Sequence, residues 1–96
     1  MTRTPTPGES RAAELQQAAE EVDAARRVVT RAAARENAAA LDWLHARAAF
    51  LEAPTPDNHA REKRDHRAHL VALDALNDAR ARLVHRERLA ARLHRP

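Results

Sequence analysis

The sequence predicts an all-α chain: two long helices forming an antiparallel coiled-coil hairpin that assembles into a helical bundle as an oligomer. Three observations carry the prediction. Helix breakers occur only at Pro5, Pro7, Gly8, Pro54, Pro56 and the terminal Pro96. The two uninterrupted stretches between them are rich in Ala, Leu, Arg and Glu, the strongest helix formers. A heptad of large and small apolar residues then runs through the first stretch without a slip.

The elements follow in order. Residues 1–6 read as a flexible N-terminal tail. Thr6-Pro7-Gly8-Glu9 reads as an N-cap threonine, a proline at the first helical position and a glutamate at N3, which starts helix 1 at about residue 7. Ala53 precedes Pro54 and is pushed out of the α region, so helix 1 stops near 52. Residues 53–56 form the turn. Thr55-Pro56-Asp57 repeats the threonine-proline start, and helix 2 is expected over about 57–94. At 1.5 Å per residue the arms would be about 69 and 58 Å long. Residues 7–96 thus read as one hairpin.

Helix 1 places Leu15, Val22, Val29, Glu36, Trp43 and Phe50 at one heptad position and Ala18, Ala25, Ala32, Ala39, Ala46 and Ala53 at the other. Alanine at every second seam position lets the facing helix come close. The best phase for helix 2 is His66, His69, Leu73, Leu76, Arg80, Leu83, Glu87, Ala90 and His94. Leu15, Val22, Val29, Trp43, Phe50, Leu73, Leu76 and Leu83 are the expected core. Leu41, Leu44, Leu51, Leu70 and Val84 fall outside it and form the expected intermolecular surface. If Ala53 pairs with Asp57 across the turn, facing positions sum to about 110. Glu36 then meets the region of Leu73 and Asp74, and Trp43 meets Arg67. Glu36 is the lone charge in the helix 1 seam, and Arg80 is the nearest seam cation for it.

Composition narrows the function. The 96 residues hold 17 basic and 14 acidic side chains, no Cys, one Gly, one Trp, one Phe and no Tyr. Without Cys there is no disulfide framework or thiol nucleophile, and a single Gly leaves no phosphate-cradling loop. No run of 18 apolar residues exists to span a membrane, and the start of the chain lacks the apolar core of a signal peptide, so a cytoplasmic protein is expected. Twenty-four of the apolar residues are Ala, leaving only 18 large apolar side chains to order the chain. That thin inventory points to self-association or a protein partner. The hydroxyls of Thr2, Thr4, Thr6, Ser10, Thr30 and Thr55 lie at caps, in the tail or away from any helical histidine, so no catalytic residue is assigned and no enzyme or cofactor is expected.

Arg outnumbers Lys 16 to 1 and Ile is absent, as a GC-rich coding sequence produces. The expected source is accordingly a high-GC bacterium or its phage, and the expected role a non-enzymatic assembly or adaptor protein. The distribution of the arginines supplies an alternative. Residues 80–96 carry Arg80, Arg82, Arg86, Arg88, Arg92 and Arg95 against Glu87 alone, a stretch able to contact nucleic acid through phosphates.

A remoter alternative rests on Glu62, Asp65, His66 and His69, whose spacing puts carboxylates and imidazoles on one helical face. This set is similar to the carboxylate and histidine sets of ferritin-like bundles, including two-helix encapsulated ferritins. Here Glu62 meets His66 at i+4 while Asp65 takes the i+3 place. The resemblance implies a di-iron centre between hairpins, or zinc held by His66, His69 and a carboxylate. Asp57-Asn58-His59-Ala60-Arg61-Glu62 also resembles the acidic tip of the coiled-coil domain of Gre-type transcript cleavage factors, with two tip residues of that pattern missing.

Overall fold

The computed structural model describes residues 3–95; Met1 and Thr2 of the expected tail, and the terminal Pro96, lie outside them. The described chain is all-helical: α1 spans Pro7–Glu52 and α2 spans Pro56–Leu93, with no strand among the described residues. Both starts use the threonine-proline device. Thr6 Oγ1 accepts from the Glu9 amide at 3.2 Å, and Thr55 Oγ1 accepts from the Asn58 amide at 3.2 Å. Pro7 and Pro56 occupy the first helical position, where a missing N–H costs nothing. The Glu9 carboxylate does not close a reciprocal capping box in this structure; it pairs with Arg3.

The turn is closed by Asn58, for which no role in the turn was expected. Asn58 Nδ2 donates to Ala53 O at 2.8 Å, which also accepts from the Thr55 amide at 2.7 Å, and to Ala49 O at 3.4 Å, which also accepts from the Ala53 amide at 2.9 Å. One amide therefore ties the first turn of α2 to the last turn of α1. At the far end Arg11 performs the converse service. Its guanidinium donates to Leu93 O and, at 3.2 Å, to Arg95 O, bringing a cation to the C-terminal carbonyls of α2.

The helices pack against each other along their length, and contacting residues run in reverse order along the two arms. Phe50 stacks on His59, Trp43 on His66, Glu36 meets His69, and Glu21 meets Arg86. Ala32, Leu76 and Ala79 form the buried centre, with Val29 and Ala33 packed against it. Every heptad position expected in the α1 seam before Ala53 is buried or half-buried; Ala53 is exposed. The Cα atoms extend 72 Å in the longest direction and 13 Å in the thinnest, a single layer of helices.

Helix 2 departs from its expected phase in one informative way. Ala79 is buried at 4% exposure and Arg80 is exposed. The seam on α2 runs Glu62, Asp65, His69, Ala72, Leu76, Ala79, Leu83, Arg86, Ala90 and Leu93, an unbroken alternation of three and four residues in which Arg86 alone is exposed and reaches across to Glu21. Arg80, Glu87 and His94, expected in the seam, each lie one position past it and are exposed. Following the larger side chains misplaced the phase. The alanines mark it, because close approach of the two helices selects for small residues.

Candidate functional site

The half of the seam nearest the turn carries polar side chains among its apolar ones. Trp43 projects from α1 between polar residues of α2: its Nε1 donates to Glu62 Oε1 at 2.9 Å, and its ring stacks on His66 and His69 with centroids 4.4 and 5.6 Å away. His69 Nε2 lies 2.9 Å from Glu36 Oε1. Five side chains thus form one connected polar and aromatic cluster whose members are all half-buried. Charge-assisted hydrogen bonds of this kind are directional, so the cluster holds the axial and rotational position of one arm against the other. His69 Nδ1 is buried and lacks a hydrogen-bond partner, the one such side-chain atom among the described residues.

Two expectations change here. The partner of Glu36 is His69, not Arg80, which points away from the seam. Contacting positions in this cluster sum to between 105 and 112, a spread about the expected 110, and Trp43 meets Glu62, His66 and His69 in place of Arg67. Within the single chain the residues of the metal alternative are engaged with other partners. Glu62 is held by Trp43, His69 by Glu36, and Asp65 lies 3.7 and 3.6 Å from Arg61 and Arg64. No group of three or more His, Asp or Glu side chains among the described residues converges on a point that could hold a metal ion.

The five residues expected to form an intermolecular surface are all exposed: Leu41, Leu44, Leu51, Leu70 and Val84 show 43 to 70% of their surface, and Val28 and Val71 join them. Helical geometry divides them. At about 100° per residue, Leu41, Leu44 and Leu51 stand about 140 to 160° from Ala46, the fully buried seam residue, and so form an outward stripe on α1 near the turn. Leu70 and Val84 share a flank of α2 with the half-buried Leu73, on one side of the layer.

The other side of the layer carries a groove between the helices. At the free ends it encloses about 740 Å³ and is lined by Ala13, Glu14, Gln17, Ala18, Glu21, Arg86, Leu89, Arg92 and Leu93. It continues past Ala24, Ala25, Val28, Ala79 and Arg82, then past Arg31, Ala32, Arg35, Ala75 and Asp78. The six C-terminal arginines do not form one surface. Arg82, Arg86 and Arg92 line this groove, whereas Arg80 lies on the Leu73 side and Arg88 and Arg95 sit on the outer edge of α2. Arg86 is paired with Glu21 at 3.0 Å. That contact belongs to a broader match: α1 carries Glu9, Glu14, Glu20, Glu21 and Asp23 against Arg11, Arg26 and Arg27 where it faces the basic end of α2. Arg31 and Arg35, absent from the expectations, complete the groove from α1.

No helix of the described residues is long and apolar enough to cross a membrane. No protein-family model, curated protein or solved structure matches this chain.

Proposed function

We propose that this chain is a non-enzymatic assembly or adaptor module, an antiparallel coiled-coil hairpin that works by associating with further copies of itself. One observation carries the reading: among the described residues, burial is confined to Val22, Ala32, Ala46, Leu76 and Ala79, while seven large apolar side chains stay 40 to 70% exposed. A single layer of two helices leaves its seam open above and below, and stable helical architectures cover such a seam with a second layer. The flank bearing Leu70, Leu73 and Val84 supports that role, since a second hairpin laid there would cover apolar surface. The outward stripe of Leu41, Leu44 and Leu51 offers another contact near the turn, suited to a bundle or a longer array.

Leu44→Lys and Leu70→Lys test the proposal, because both positions are exposed in the single hairpin and neither substitution disturbs its seam. Sedimentation should show the unsubstituted chain as an oligomer and the double variant as a helical monomer. A monomeric parent chain, or a double variant with unchanged mass, would remove the proposal.

A further inference from the structure

We propose that the groove on the opposite side of the layer docks an acidic amphipathic helix of another protein. This rests on a different face from the self-association reading and stands or falls separately. The floor is small and apolar, formed by Ala24, Ala25, Val28, Ala32 and Ala79. Such a floor admits a third helix at the short end of the usual interaxial range of about 8 to 10 Å. From Ala13 to Arg35 the groove runs about 33 Å, the length of about six helical turns.

Charge selects the occupant. Arg31, Arg35, Arg82 and Arg92 line the groove from both helices, and none has a carboxylate within 4.0 Å among the described residues. Against these four stand two unpaired carboxylates, Glu14 and Asp78. A ligand with an apolar stripe flanked by Glu or Asp satisfies floor and rim together. A second copy of the hairpin fits less well. Arg82 stands beside Ala24, midway along the groove, so a copy docked about a two-fold axis there would bring two Arg82 side chains together. A nucleic-acid strand would meet the rim charges but present phosphate and sugar to Val28, Leu89 and Leu93.

The test uses the full chain and a labelled synthetic helix of about 21 residues, with an Ala and Leu stripe flanked by Glu, followed by fluorescence anisotropy. A matched peptide with Lys in place of Glu and a short DNA duplex are the competitors. The Glu peptide should bind at least about tenfold more tightly than the Lys peptide, and weaken about tenfold when Arg31→Glu, Arg35→Glu and Arg82→Glu are combined. Arg31→Gln, Arg35→Gln and Arg82→Gln, which retain a polar side chain at each site, should give a smaller loss at unchanged helicity. Leu44→Lys with Leu70→Lys should leave peptide binding intact. Equal affinity for the two peptides, no binding of the Glu peptide, or indifference to the arginine substitutions would overturn the proposal. Tighter binding of DNA through the same arginines would make the groove a phosphate surface. Loss of the oligomer in the arginine variants would assign it to a second copy.

Discussion

At the scale of single residues, the seam is held by alanines, by one polar cluster and by a few large apolar side chains, Val22 and Leu76 foremost. Ala46 is fully buried, and Ala32 and Ala79 nearly so, which marks the points of closest helix approach. Ala46→Leu should therefore overpack the seam and cost about 1 to 3 kcal/mol in urea unfolding. Leu76, 3% exposed, is the largest side chain near complete burial, and Leu76→Ala should cost about 2 to 5 kcal/mol by the same measurement. Glu36 and His69 behave as a unit. Glu36→Leu alone leaves His69 Nε2 without its 2.9 Å partner and should destabilise by about 1 to 2 kcal/mol, whereas Glu36→Leu with His69→Leu should recover that loss or exceed it. A double substitution as damaging as the single one would mean that the pair stabilises the hairpin outright and does not merely fix its register.

At the scale of elements, both helices are bounded by local chemistry that a reader of the sequence can see. Thr6-Pro7 and Thr55-Pro56 start α1 and α2, and Pro54 ends α1, because capping and proline sterics act within a few residues. The turn depends on Asn58 as well. Asn58→Ala should leave Ala53 O with the Thr55 amide alone and lower stability by about 1 kcal/mol, read as a fall in the melting temperature by circular dichroism. The seam of α1 was legible because large and small residues alternate there without interruption. The seam of α2 was legible only in part: Leu73 and Leu76 drew the phase toward Arg80, while Ala79 was the residue facing α1. The polar cluster was legible as residues and not as partners. Glu36, Trp43, Glu62, His66 and His69 all stood out, but a register shift of a few residues decided which of them met. Arg31 and Arg35 went unnoticed because a groove is made by two helices, and no spacing along one of them reveals it.

At the scale of the whole molecule, the two sides of the layer differ in chemistry. One presents Leu70, Leu73 and Val84 beside an Arg26 to Glu87 ion pair at 3.7 Å; the other is an alanine-floored groove with arginines on its banks. The layer itself, 13 Å through its Cα atoms, has no interior of its own beyond the seam. Under the proposed self-association the melting temperature should rise with protein concentration, as mass action requires when folding is coupled to association. The central claim is that the hairpin is completed by further copies through apolar contact. Its most direct test is the mass in solution by light scattering at about 50 and 500 mM salt, since salt at the higher level screens exposed charges and leaves apolar burial intact. The account predicts a mass at least twice that of one chain at both salt concentrations. A monomer at both, melting cooperatively at a temperature independent of concentration, would contradict it.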